Sequence, residues 1–124
     1  MPATLYVCTT CRAGQEIPEG DDRPGTLLHR AIEAQGAPEG VTIVGVKCLS
    51  ACSQGPAVAL SETGKWSYVY GRMELEDAPD ILAGASAYAA TPDGLVPWRE
   101  RPEQFRKRSL ARIPPLTLPL EAAE

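Results

Sequence analysis

Apolar and polar residues change their spacing several times along the chain, and each change marks an element. Ala3-Thr-Leu-Tyr-Val-Cys8 is dense in β-branched and aromatic residues and reads as a short strand. Residues 12–25 are crowded with Gly, Pro and acidic side chains, a composition that predicts an irregular loop. From Thr26, a candidate N-cap, the apolar positions Leu27, Leu28, Ala31, Ile32 and Ala34 recur at near-helical spacing. Gly36 ends the pattern where a left-handed cap is expected. Val41-Thr-Ile-Val-Gly-Val46 is the clearest strand. A strand–helix–strand unit normally makes a right-handed parallel crossover, so the two strands are expected to end on the same side of one sheet.

Farther along, Ala57-Val-Ala-Leu60, a turn at Ser61-Glu-Thr-Gly64 and the alternating aromatics of Trp66-Ser-Tyr-Val-Tyr70 predict a β-hairpin. Trp66, Tyr68 and Tyr70 share one side of that strand and read as packing residues. A second helix follows, with Asp77 as N-cap, Pro79 in its first turn and Ile81, Leu82, Ala85, Tyr88 and Ala89 on one face. The order is β-α-β-β-β-α, an α/β domain with a mixed sheet over residues 1–91. Beyond Thr91 the texture turns Pro-rich and partly basic, giving an irregular C-terminal extension over 92–124. Its end, Ile113-Pro-Pro-Leu-Thr-Leu-Pro-Leu120, suits neither a helix nor an inner strand. Leu116, Leu118 and Leu120 mark it as a segment that wraps the domain or meets a partner rather than one freely solvated.

Length and charge narrow the function classes. At 124 residues with 44% hydrophobic content, the chain fits one core of ordinary size. The N-terminus has neither a charged leader nor a long apolar run, so a cytoplasmic protein without a membrane span is expected. Residues 1–98 carry 12 acidic and 6 basic side chains, whereas residues 99–124 carry 6 basic and 4 acidic. An acidic body argues against nucleic acid, which needs a clustered positive surface. It suits docking onto a basic patch of a redox partner.

The candidate chemistry lies in the cysteines. All 4 fall into two tight pairs, Cys8-Thr-Thr-Cys11 and Cys48-Leu-Ser-Ala-Cys52, each just after a predicted strand. In a reducing compartment such spacing points to metal ligands or catalytic thiols more than to structural disulfides. Two thiolate claws at neighbouring strand ends can grip one soft metal centre. Around the second claw Ser50, Ala51 and Ser53 are small, Gly55 permits unusual dihedrals and Pro56 fixes the entry to the next strand. Thr9 and Thr10 bring hydroxyls to the first claw. Four cysteines suit a [2Fe–2S] cluster, a [4Fe–4S] cluster or a structural zinc ion alike.

The run Cys48-x-x-x-Cys52-x-x-Gly55-Pro56, after a βαβ unit and before a hairpin and helix, resembles the thioredoxin-like [2Fe–2S] ferredoxins and the related small subunit of bacterial NADH dehydrogenases. The resemblance implies a thioredoxin-like fold in which Cys48 and Cys52 bind one iron while Cys8 and Cys11 bind its neighbour. It implies a one-electron carrier rather than an enzyme, a reductase and an acceptor as redox partners, and a homodimer. Only Thr9 and Thr10 separate Cys8 from Cys11, closer than the first two cysteines of that family usually stand. The whole chain, including Val96-Pro-Trp-Arg-Glu-Arg and Ala111-Arg-Ile-Pro-Pro115, also resembles a small bacterial family described as predicted metal-binding proteins. That family is often associated with cobalamin-related genes, which implies a corrinoid or cobalt-handling acceptor.

Two other readings use the same cysteines. A four-cysteine zinc site needs no redox partner, although a chain of this length does not need zinc to form its core. A dithiol oxidoreductase would use Cys8-Thr-Thr-Cys11, but Arg12-Ala-Gly-Gln and the Gly/Pro loop follow, so no helix N-terminus is expected to stabilise a thiolate. His29, the only histidine, is expected on the solvated side of its helix beside Arg30 and Glu33. The basic run from Arg99 to Arg112 reads as a solvated face. No nucleophilic triad and no phosphate-cradling glycine loop is present.

Overall fold

Alternating burial along the first strand, β1 (Ala3–Cys8), sets the core: Ala3, Leu5 and Val7 are fully buried while Thr4 and Tyr6 are half-buried. The computed structural model describes residues 3–9, 22–47, 49 and 56–115. Helix α1 (Pro24–Gln35) places Leu28 and Ile32, one turn apart, in the same core. Its N-cap position is Arg23, three residues before the expected Thr26. Pro24 takes the first turn, where its missing N–H costs nothing, and no side chain caps the helix. Gly36 ends it at φ 86° and ψ 143°, a positive φ as expected but with an extended ψ rather than a left-handed helical one.

The strand β2 (Val41–Val46) runs parallel to β1, while β3 (Val58–Ser61) and β4 (Ser67–Tyr70) form the antiparallel hairpin. β3 also pairs antiparallel with β1, which makes the sheet mixed. Tyr68 and Tyr70 are buried, and Trp66 packs partly buried against the same core. Helix α2 (Ala78–Ala89) buries Ile81, Leu82, Ala85 and Tyr88 there as well. The buried Lys65 ammonium lies 2.9 Å from Glu62 Oε1 and donates to the carbonyl of Ala89 at 3.1 Å, so it caps the C-terminal end of α2. Asp77 stands at the N-cap position of α2 as expected, yet its side chain does not cap the helix.

The irregular extension expected after Thr91 carries ordered elements. A 3₁₀ turn covers Trp98–Glu100, a short helix α3 covers Glu103–Lys107, and Ser109–Ile113 adds an exposed edge strand, β5, antiparallel to β4. The sheet order is β2-β1-β3-β4-β5. Phe105 fastens this segment: its ring is buried and stacks on Tyr70 with centroids 3.9 Å apart. A Cβ at Gly84 would lie 2.2 Å from Phe105 Cε2, so the ring fits only because α2 has a glycine there. The buried Asp77 carboxylate explains its missing cap role. It accepts hydrogen bonds from Gln104 Nε2 at 2.9 Å, from Arg108 Nη1 at 2.7 Å and from the Glu74 N–H at 2.8 Å. The leucines 116, 118 and 120 lie outside the described residues.

Candidate metal centre at the strand exits

Parallel pairing puts the ends of β1 and β2 side by side, with Cys8 opposite Val46. The Thr9 N–H then donates to the Val46 carbonyl at 2.8 Å, and the Cys8 N–H donates to the Ala57 carbonyl at 3.0 Å. These two bonds bracket the sequence that carries Cys48 and Cys52. β2 ends at Val46 and β3 begins at Val58, and the carbonyls of Val46 and Ala57 accept from Thr9 and Cys8. The Cys8 side chain is buried, free of any disulfide, and its Sγ–H lies 3.5 Å from the carbonyl of Lys47, the residue before Cys48.

Of the four predicted ligands the structure therefore places Cys8. Cys11, Cys48 and Cys52 lie outside the described residues, as do Thr10, Ser50, Ala51, Ser53 and Gly55. Among the described residues no group of three or more His, Cys, Asp or Glu side chains could hold a metal. Cys8 fits a thiolate-bound centre: it is a soft donor, kept from solvent, at the edge where the second cysteine-bearing stretch begins and ends.

The turn after Cys8 is held on every polar atom of Thr9. Its hydroxyl donates to the Val46 carbonyl at 3.1 Å, alongside its N–H, and its own carbonyl accepts the hydroxyl of Thr26 at 2.7 Å. The expected role of Thr26 as a helix cap is thus replaced by a link from the first turn of α1 to the exit of β1. No pattern of periodicity or spacing announces a contact across 17 residues. His29 also departs from expectation. Its side chain is only 21% exposed, with Nε2 2.6 Å from Glu33 Oε1 in a close contact that lacks hydrogen-bond alignment. A Cβ on Gly45 would lie 2.9 Å from both His29 Cε1 and Thr9 Cγ2, so the bare backbone of β2 makes room for these two side chains.

The fold is that of thioredoxin-like ferredoxins. The chain superposes on the thioredoxin-like [2Fe–2S] ferredoxin from Aquifex aeolicus with a TM-score of 0.57 at 18% identity, covering 94% of this chain and 96% of the other. A second structure of the wild-type ferredoxin gives 0.53 at 17% identity, covering 88% and 96%. A cysteine-to-serine variant gives 0.55 at 14% identity, covering 88% and 98%. No curated protein matches the chain. Residues 5–115 match the family described as "Protein of unknown function (DUF1636)", and the chain belongs to that family. Among the described residues no helix is long and apolar enough to cross a membrane.

Proposed function

We propose that this protein is a one-electron carrier that holds a [2Fe–2S] cluster between Cys8, Cys11, Cys48 and Cys52. The observation that carries the reading is the pair of main-chain hydrogen bonds from Cys8 and Thr9 to Ala57 and Val46, the residues that flank the sequence carrying Cys48 and Cys52. The ferredoxin-like fold supports it, since the Aquifex aeolicus protein is named for the same cluster. Four thiolates supply the soft, anionic ligand set that such a cluster needs. When bound, the cluster accepts and releases single electrons. The chain's own part is to hold the sulfurs, keep water from Cys8 and present the strand exits to a partner.

In this reading the acidic body, with a formal net charge of −4, favours encounter with a basic surface on a reductase and on an acceptor. A homodimer in the cytoplasm and a corrinoid-related acceptor complete the proposal. The test is visible absorption and reduced-state EPR of anaerobically purified wild type, Cys48→Ser and Cys52→Ser. The wild type is expected to be brown and the two variants to lose or strongly alter the cluster bands. Unchanged spectra in both variants would remove these cysteines as ligands. A colourless wild type with stoichiometric zinc would establish a structural zinc site instead.

A further inference from the structure

We propose that Thr26 is a positioning residue at the exit of β1: its hydroxyl fixes the carbonyl of Thr9, the residue that follows Cys8. This inference rests on the cluster reading above and assigns a role to a residue that is not itself a ligand.

Thr9 carries three hydrogen-bonding groups. Its N–H and its hydroxyl both donate to the Val46 carbonyl, at 2.8 and 3.1 Å, which locks the residue to β2. Only its carbonyl remains, and that oxygen belongs to the peptide joining Thr9 to Thr10 inside the first claw. Without a donor the Thr9–Thr10 peptide plane could rotate. The Thr26 hydroxyl supplies the donor at 2.7 Å, within the range of a good O–H···O bond.

The hydroxyl is itself well placed. Thr26 stands in the first turn of α1, which is fixed to the core by Leu28 and Ile32 and starts at a proline. A threonine in a helix has two favoured χ1 rotamers, and the one adopted here sends the hydroxyl to Thr9. The helix does not use it as a cap. A rigid helix turn therefore holds one carbonyl at the strand exit, and Gly45 leaves space there for the Thr9 methyl group and the His29 ring. Held ligand loops lose less entropy on binding, so the effect expected of Thr26 is on how firmly the metal centre is kept.

The test compares Thr26→Val, which keeps the branched shape without the hydroxyl, with Thr26→Ser, which keeps the hydroxyl without the methyl. Two measurements are made on full-length protein. In metal-free protein, amide hydrogen exchange of the peptide spanning residues 9–11 is expected to quicken about three- to tenfold in T26V and to stay at the wild-type rate in T26S, as the loss of one hydrogen bond implies. In the loaded protein, cluster loss to a strong chelator is expected to quicken by a similar factor in T26V only, with a shift in the EPR g values. Wild-type exchange in T26V would overturn the proposal. So would equal quickening in T26V and T26S, which would leave only a packing role for the side chain. Wild-type protein without iron would defeat the electron-carrier reading, whereas the exchange comparison judges the Thr26 link separately.

Discussion

Around Thr9 the chain is held by a handful of hydrogen bonds from main chain and hydroxyls, whereas around Phe105 it is held by a ring slotted against Gly84 and by a buried carboxylate. Both regions border the same sheet, yet they resist change differently. Hydrogen bonds at a strand exit set direction and contribute little net stability each, about 1 kcal/mol. A buried aromatic ring contributes several times that and sets no direction beyond its own slot. In the function proposed above the β1 and β2 exits orient ligands, while the C-terminal segment closes the sheet and core.

The largest expected effect lies in the second region. Phe105→Ala removes a buried ring that stacks on Tyr70, and it is expected to destabilise the fold by about 3–5 kcal/mol, read by denaturant unfolding. A loss below about 1 kcal/mol would mean that the 98–113 segment is not fastened by this ring.

Next comes Asp77→Asn, which replaces a buried carboxylate that accepts from Gln104, Arg108 and the Glu74 N–H; a loss of about 1–3 kcal/mol is expected near neutral pH. Burial by itself pushes this carboxyl up. The hydrogen bonds from Gln104, Glu74 and Arg108, together with the Arg108 charge, outweigh burial and leave it below the usual carboxylate range. A lowered folded value means that the Asp77 contribution is complete above the unfolded value, about 4, and is lost as pH falls through the lower folded value. The gap in stability between wild type and D77N should therefore be constant from pH 7 down to about 4 and shrink below that. A gap that widens on acidification would mean that the folded state raises the Asp77 carboxyl instead of lowering it.

The first region should give smaller stability changes and sharper local ones. Thr26→Val is expected to alter exchange and metal retention at residues 9–11 while leaving global unfolding within about 1 kcal/mol of wild type. If T26V instead melted the fold as F105A does, the contrast between directing and closing regions would fail.

These contrasts also show where the sequence was readable. The strands from Ala3, Val58 and Ser67 and the helices with Ile32 and Ile81 follow patterns of apolar side chains that match their burial, and the strand from Val41 is legible from its β-branched residues although Val41 alone of them is fully in the core. The five-residue α3 and the exposed β5 have no such signal. Residues 103–113 hold 4 basic residues, and α3 is too short to be stable alone, so its helix depends on Phe105 reaching the core. β5 forms where β4 offers an unpaired edge, which is a property of the sheet and not of Ser109–Ile113 itself.

At the candidate site the two close cysteine pairs were legible in the sequence, and of them the structure places Cys8. The link from Thr26 and the close packing of His29 over Gly45 were not, because each depends on two segments meeting through the tertiary fold. Asp77 shows the same limit. Local sequence identified its place at a helix start, but Gln104 and Arg108, 27 and 31 residues away, decided what its carboxylate does.

The most direct test is the iron and acid-labile sulfide content of freshly isolated, anaerobically purified wild-type protein. About two irons and two sulfides per chain are expected, as a [2Fe–2S] centre requires. Protein with neither iron nor sulfide would contradict the account.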